Sequence, residues 1–269
     1  MDGRLAILGT GRMGEALLNG LLRAGWAKPD RIWCTVRRVE RARLLAETYG
    51  VHADTDSPGA TTASDVLLLA TKPQNVRDLL RTIAPEITGR HTVVSVVAGV
   101  TTAAIDALIP GDTPVVRVMS NVPVQVDEAM SAIAPGRHAG PEHIGIAEGI
   151  LGHVGRVVHL DEEHMDAVTA LSGSGPAYFF LLAEAMIDAG ILLGLSRDIA
   201  TELIIQTMVG SAKMLRETGR HPVELREAVT SPGGTTIAAI RVLEQQRVRA
   251  AFLDAIDAAR RRSAELAGE

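Results

Sequence analysis

The feature that most constrains this chain is a glycine pattern near its N-terminus, Gly9-Thr10-Gly11-Arg12-Met13-Gly14. The pattern follows a short apolar run and opens a stretch with helical spacing that continues to about Arg23. G-x-G-x-x-G between a first strand and a first helix is typical of a dinucleotide-binding turn. The first glycine permits the tight turn, the second lets a pyrophosphate reach the helix N-terminus, and the third allows close helix packing. A glycine-rich turn without a ligand is the alternative.

Short apolar runs alternate with amphipathic stretches through the first 160 residues, which is the pattern of a doubly wound parallel sheet. We predict strands at 5–8, 31–36, 66–70, 93–97, 115–119 and 157–160, and helices that include 74–83 and 102–109. Beyond Asp161 follow four or five helical segments with no convincing strand. The predicted fold class is therefore α/β, with a Rossmann-type domain over residues 1–160 and an all-helical domain over residues 161–269.

The helical half is unusually apolar, especially over residues 177–195. Such a stretch is too uniformly hydrophobic for a lone surface helix, so we expect a partner subunit to cover one side of it. No segment reaches the ~18 consecutive apolar residues of a membrane span, and the N-terminus does not resemble a signal peptide. We therefore expect no membrane partner and a cytoplasmic location.

Composition argues against several other classes of protein. A net charge of −5 and 3% aromatic residues do not suit a nucleic-acid surface, which needs basic patches and stacking rings. The single cysteine, Cys34, cannot form an internal disulfide, so nothing requires an oxidising compartment. The eight histidines lack metal-ligand spacing, and we predict no metal site.

The end of the second predicted strand bears on cofactor choice. NAD-binding proteins tend to carry an acidic residue there for the ribose hydroxyls, whereas this chain has Arg37 and Arg38. Cations at the start of a helix oppose its dipole, so their placement suggests a compensating anion such as the 2′-phosphate of NADP. The alternative is two solvated arginines that face Glu40 and Asp30.

A second candidate anion site lies late in the chain, within residues 229–244. Two glycines and three hydroxyl residues precede a predicted helix there: Ser231, Gly233, Gly234, Thr235 and Thr236. Unpaired N–H groups at a helix N-terminus attract anions, and glycines let a bound group approach the backbone. An ordinary helix cap after a Pro-Gly turn is the alternative.

Residues 229–244 resemble the signature of the pyrroline-5-carboxylate reductase family. Four further blocks match that family in order and spacing: 70–73 (ATKP), 95–99 (SVVAG), 117–123 (RVMSNVP) and 171–178 (LSGSGPAY). One departure is Ser120, because the family usually has proline before the asparagine that is kept here as Asn121. The resemblance implies reduction of Δ1-pyrroline-5-carboxylate to L-proline, the last step of proline biosynthesis, with NADPH preferred and NADH possible. It also implies a helical dimerisation domain and a homodimer as the basic unit.

The resemblance also assigns residue roles. Ala70, Lys72 and Pro73 would line the cofactor cleft, although Lys72 could equally be a helix-start lysine whose stem lies on apolar neighbours. Ala98 and Asn121 would lie near the nicotinamide, and Thr169 beside the carboxamide and the reacting ring. The group Ser231, Gly233, Gly234, Thr235 and Thr236 would hold the substrate carboxylate. In the family dimer, the helical domain of one chain covers the nicotinamide held by the other.

The implied chemistry depends on position, because the substrate blocks contain no obvious acid, base or nucleophile. A protonated imine accepts hydride without a protein acid, and Thr169 could assist by a hydrogen bond. A β-hydroxyacid dehydrogenase or another imine reductase shares the same plan. The hydroxyacid enzymes, however, carry a lysine after the glycine-rich substrate loop, and residues 172–182 contain none. A non-catalytic NADP-binding protein is the third alternative.

Overall fold

The computed structural model describes residues 3–268. The chain divides into two compact units, Met1–Ser174 together with Ala259–Glu269, and Gly175–Ala258. The predicted boundary at residue 160, between dinucleotide binding and dimerisation with substrate binding, stays a prediction. The compact units divide at later positions, and the end of the last helix belongs to the first unit, where Ser263 Oγ donates a 2.7 Å hydrogen bond to Asp166.

The first unit contains one eight-stranded sheet in the order β3-β2-β1-β4-β5-β6-β7-β8. Neighbouring strands are parallel except for the antiparallel pair β6 and β7. The strands are β1 Leu5–Leu8, β2 Ile32–Thr35, β3 His52–Asp54, β4 Val66–Leu69, β5 Thr92–Ser95, β6 Val115–Met119, β7 Ala129–Pro135 and β8 Gly155–His159. The strand order reverses between β1 and β4, and ligands of such sheets bind outside the carboxyl ends of the strands at that point.

Helices and short 3₁₀ turns connect these strands. The α-helices of the first unit are α1 Arg12–Arg23, α2 Val39–Tyr49, α3 Ser57–Thr62, α4 Pro73–Ile83, α5 Thr102–Asp106, α6 Pro141–Leu151 and α7 Met165–Val168. The 3₁₀ turns are Pro29–Arg31, Ala84–Glu86, Val122–Val126 and Glu162–His164, and a π-helical turn, Thr169–Gly173, follows α7. Later in the chain come α8 Gly175–Leu192, α9 Arg197–Thr218, α10 Pro222–Ala228, α11 Thr235–Gln245 and α12 Val248–Gly268.

The core of the first unit lies on both faces of the sheet. All four residues of β1 and of β4 are buried, because helices cover both sides of a parallel sheet. Leu5 and Ile7 join one apolar cluster, whereas Ala6 and Leu8 join the cluster on the other face. This alternation is why the central strands appear in the sequence as continuous apolar runs.

The predicted fold class is confirmed, with a Rossmann-type sheet followed by helices. The strands at 5–8 and 115–119 have the predicted bounds, and the other four predicted strands overlap observed ones. Two strands were missing from the prediction, β3 and β7. The helix predicted over 102–109 was too long, since it ends at Asp106 and Ala107 caps it.

A long apolar helix bears on the sequence expectation about membranes. Within the described residues, the helical stretch Glu162–Leu192 is long and apolar enough to cross a membrane by length and composition, and only 11% of its most apolar window is buried. Consecutive side chains of α8 are largely exposed, including Phe179, Phe180 and Leu181. Exposed apolar surface of this kind also marks subunit interfaces.

Candidate active site

A cleft of about 520 Å³ lies at the switch point of the sheet. Its walls come from the turn after β1, the end of β2 with the start of α2, and the turn between β4 and α4. The lining residues are Gly9, Thr10, Gly11, Val36, Arg37, Arg38, Arg41, Ala70, Thr71, Lys72 and Asn75. Seven of the thirteen predicted cofactor residues therefore meet in one cleft.

The three glycines of the turn have different steric surroundings. Gly9 has φ +81°, and a Cβ there would lie 2.7 Å from Thr71 Cβ, so a side chain is excluded on both counts. A Cβ on Gly14 would lie 3.1 Å from Ala70 Cβ, which reflects the close approach of α1 to the sheet. At Gly11 the nearest atom to a Cβ would be 3.8 Å away. The middle glycine thus leaves open space at the start of α1.

Hydrogen bonds fix this turn against β2. The N–H groups of Gly9 and Thr10 donate to the Thr35 carbonyl at 3.1 and 2.7 Å. The first helical bond of α1 runs from Glu15 N–H to the Gly11 carbonyl at 2.9 Å, and no side chain caps the helix. The amides of residues 12–14 precede that bond. They form the positive end of a helix that opens onto the cleft and suits a phosphate group.

Three arginines line the cleft beside the end of β2 and the start of α2. Arg37 and Arg38 are exposed, and neither has an ion pair with a carboxylate anywhere in the described part of the chain. Arg41, which the sequence analysis missed, is half-buried and forms an ion pair with Glu15. Its position three residues after Arg38, on the same side of α2, was the available signal.

The other predicted cofactor residues do not line this cleft. Arg12, Met13 and Gly14 belong to the first turn of α1, and Pro73 is the first residue of α4. Ala98 is exposed on the loop after β5. Lys72, by contrast, is exposed and lines the cleft immediately before α4. Thr71 and Asn75 are further lining residues that the sequence analysis did not name.

Asn121 follows β6 and is buried, with 9% of its surface exposed. Its Nδ2 donates to the Ser172 carbonyl at 3.2 Å and lies 3.3 Å from Ser172 Oγ, while its Oδ1 accepts from Met130 N–H at 2.9 Å. The side chain therefore joins the end of β6, the start of β7 and the π-helical turn. That turn begins at Thr169, whose hydroxyl donates to the Met165 carbonyl at 2.8 Å.

The departure at Ser120 has a local explanation. Ser120 is buried, and its Oγ accepts a 2.9 Å hydrogen bond from Ser131 Oγ on β7. A proline would lack this hydroxyl. The neighbouring strand thus supplies a partner for the polar group that replaces the proline usual in the family.

The second candidate anion site lies in the helical unit. Gly233 has φ +68° with nothing within 4 Å of a Cβ, and Gly234 N–H donates to the Ser231 carbonyl at 3.0 Å. Gly234 is the N-cap of α11, and no side chain caps this helix. The cap interpretation of the hydroxyl residues is therefore wrong for Ser231, Thr235 and Thr236, because none of them bonds to the first helical amides as a cap.

Two other groups of side chains have unusual surroundings. Burial raises the pKa of the Cys34 thiol to about 12, against a lowering hydrogen bond to Thr10, so the thiol stays neutral. Asp161, Glu163 and His164 place possible metal ligands within 4.8 Å of one another, but all three are exposed. Exposed acidic groups are common without a metal, and this cluster by itself does not define a site.

Comparisons with known proteins agree with the geometry. A family model described as pyrroline-5-carboxylate reductase dimerisation matches residues 162–266, and one described as NADP oxidoreductase, coenzyme F420-dependent, matches residues 4–99. The pyrroline-5-carboxylate reductase of Methanosarcina acetivorans is 44% identical over 98% of this chain and 97% of its own. That of Arabidopsis thaliana is 38% identical over 98% and 95%.

The chain belongs to the pyrroline-5-carboxylate reductase family. Among solved structures, the Coxiella burnetii reductase has a TM-score of 0.92 at 34% identity and covers 99% of both chains. The Plasmodium falciparum reductase, solved with NADP bound, has a TM-score of 0.90 at 25% identity and covers 99% of this chain and 98% of its own. Because the family model that matches residues 162–266 is a dimerisation model, the helical half of the present chain is a dimerisation domain.

Proposed function

We infer that the chain reduces Δ1-pyrroline-5-carboxylate to L-proline with a nicotinamide cofactor, as the final step of proline biosynthesis. Full-length membership of the reductase family carries this inference. The switch-point cleft, with its glycine turn and open helix end, fits a dinucleotide. The decisive experiment is formation of proline from the imine acid and NADPH by the purified protein.

We propose NADPH as the preferred cofactor. Among the residues that the structure describes, Arg37 and Arg38 have no carboxylate partner, and they lie at the end of β2, where an NAD-specific site would have a carboxylate. A 2′-phosphate would supply the missing anion through charge-assisted hydrogen bonds. The thirteen proposed cofactor residues remain those predicted from the sequence: Gly9, Thr10, Gly11, Arg12, Met13, Gly14, Arg37, Arg38, Ala70, Lys72, Pro73, Ala98 and Asn121.

For the substrate, we propose that the start of α11 holds the carboxylate. The helix lacks a side-chain cap, so its first amides and the hydroxyls of Thr235 and Thr236 are suited to an anion. Ser231, Gly233 and Gly234 shape the preceding turn. The proposed division of labour places dinucleotide binding in residues 1–160, and dimerisation with substrate binding in residues 161–269.

In this proposal the chain positions the substrate for hydride transfer and supplies no acid or base. When bound, the reduced nicotinamide supplies a hydride to the imine carbon, and the already protonated nitrogen becomes the amine of proline. The Thr169 hydroxyl donates its hydrogen to the Met165 carbonyl. Its oxygen can therefore accept a hydrogen bond from the substrate N–H. Clamping the carboxylate while orienting the ring is a sufficient role for this site.

We propose a homodimer in the cytoplasm as the working form. The exposed apolar side chains of α8 favour a second copy as the cover, and the family model for this region is a dimerisation model. Among the alternatives, a related imine reductase or β-hydroxyacid dehydrogenase would prefer another substrate in the same assay. A non-catalytic NADP-binding protein would bind NADPH and form no proline.

A further inference from the structure

The side-chain amide of Asn121 is hydrogen-bonded to other residues of the protein. Met130 N–H can only donate, which places the amide oxygen on that side and turns the nitrogen toward Ser172. Both Ser172 acceptors lie within 3.3 Å of that nitrogen, and the side chain is nearly excluded from solvent. Donating a hydrogen bond from this amide to a ligand would require breaking a contact that already satisfies one of its N–H groups.

The Ser172 carbonyl needs such a donor for a reason visible in the sequence. In a continuing α-helix it would accept from the N–H four residues ahead, but residue 176 is proline, which has no N–H. An unpaired backbone carbonyl in a shielded position costs free energy. Asn121 supplies the missing donor from a strand end 51 residues earlier in the chain.

The backbone that Asn121 holds has an uncommon form. Ser174 N–H donates to the Thr169 carbonyl at 2.8 Å, a bond that spans five residues and defines a π-helical turn. Such turns are rare and often occur at functional sites. Thr169, the residue proposed to face the substrate nitrogen, is the first residue of this turn.

We propose that Asn121 is a positioning residue whose amide holds the π-helical turn Thr169–Gly173 and thereby aims Thr169, and that this amide is not a ligand of the cofactor. The kinetic consequence rests on the proposed reductase function, whereas the structural consequence does not. Asn121 can still border the nicotinamide through its main chain. Only its amide is assigned to the turn.

Asn121→Asp is the most direct test, because it keeps the acceptor for Met130 N–H and removes the donor to Ser172. In the full-length protein, we expect amide hydrogen exchange in residues 169–174 to accelerate at least tenfold. We expect kcat for imine reduction to fall at least tenfold, with the Kd of NADPH, measured by its fluorescence without substrate, within twofold of wild type. Ser172→Ala should lower kcat by a smaller factor. The double variant should have a kcat within twofold of that of Asn121→Asp alone.

Ser131→Ala is the matched control, since it breaks a buried hydrogen bond at the same strand pair without touching the turn. It should leave exchange in residues 169–174 and kcat at wild-type values. A fivefold rise in the NADPH Kd of Asn121→Asp with unchanged exchange, or equal losses in Ser131→Ala, would overturn the proposal. Should Asn121→Asp not fold, unchanged exchange in Asn121→Ala, which also removes the donor to both Ser172 acceptors, overturns it instead. A wild-type protein that forms no proline would refute the reductase function. Hydrogen exchange in residues 169–174 would still test whether Asn121 holds the π-helical turn.

Discussion

The guanidinium of Arg117 on β6 and the carboxylate of Glu162 lie 3.0 Å apart, and the arginine side chain is only 6% exposed. The same carboxylate accepts from the N–H and the hydroxyl of Thr102 at 2.8 and 2.6 Å, at the start of α5. Glu162, in the 3₁₀ turn after β8, thus neutralises a buried charge and bonds to the first residue of α5. Thr102 is the first residue of α5 and follows the loop that carries Ala98.

We expect Glu162→Ala to lower the free energy of unfolding by about 3 kcal/mol, because the Arg117 charge would stay buried without a partner. Urea denaturation at matched protein concentration measures this change. Glu163→Ala is the control, since that side chain is 79% exposed and its His164 contact is 3.9 Å long. Its effect should stay within about 0.5 kcal/mol. Equal midpoints for the two variants would contradict the assigned role.

The Cys34 thiol leads to a prediction about pH. The folded-state pKa of the thiol, about 12, lies above its unfolded value of 9.0. The stability that the buried neutral thiol contributes to the fold is therefore complete below pH 9 and is lost as the pH rises toward 12. Between pH 8 and pH 10 the wild type should lose about 1.4 kcal/mol more stability than Cys34→Ala. Urea titrations at both pH values measure the difference. Parallel losses in the two proteins would show that Cys34 does not titrate as described.

The sequence was informative where local patterns suffice. The apolar runs predicted the buried central strands, and glycine spacing predicted the turn at Gly9. The edge strand β3 has only three residues and no apolar run, and β7 consists largely of small residues, so neither gave a clear signal.

Long-range polar contacts were beyond sequence reasoning for another reason. Asn121 with Ser172, and Arg117 with Glu162, join residues 51 and 45 positions apart. Their meeting depends on which strands and turns become neighbours, and no local period encodes that. Resemblance placed Asn121 near the nicotinamide but could not indicate that its amide was already in use.

Cofactor preference can be tested at the arginine pair. Replacing Arg37 and Arg38 with glutamine removes charge-assisted hydrogen bonds to a 2′-phosphate, each worth about 1.5 to 3 kcal/mol before solvent screening. We expect kcat/KM to fall for NADPH and to stay nearly level for NADH. Arg43→Gln, on the same helix and outside the cleft, should change neither value. Equal losses with both cofactors would remove the assignment.

The substrate carboxylate can be tested at the start of α11. Thr236→Val keeps the shape of the side chain and removes one hydroxyl, so imine-acid binding should weaken by about 1 to 3 kcal/mol. Cofactor affinity should change little. Thr218→Val serves as the control, because the exposed hydroxyl of Thr218 bonds only to the backbone at the end of α9, donating to the Met214 carbonyl at 2.7 Å and accepting from Arg220 N–H at 3.3 Å. Wild-type KM and kcat in Thr236→Val would mean that the carboxylate binds elsewhere.

The last prediction is that each active site draws on two subunits. The cleft at the glycine turn and the proposed anion site at the start of α11 belong to different compact units, and the helical unit leaves large apolar side chains exposed, including Leu192 at 89%. An isologous dimer covers such surfaces in pairs. We therefore expect the α11 site of one chain to serve the cofactor held by its partner.

Mixing two inactive variants tests this arrangement. Gly11→Glu places a negative side chain in the open space where a pyrophosphate would approach α1, and Thr236→Arg fills the anion site in the other protein. If each site uses both chains, subunit exchange creates hybrids in which one composite site has an intact cleft and an intact α11. Proline formation should then recover partially, and the recovery should follow the hybrid fraction measured by native mass spectrometry. Hybrids that form at the expected fraction without any activity would place the whole site within a single chain, because a hybrid of that kind would contain no intact site.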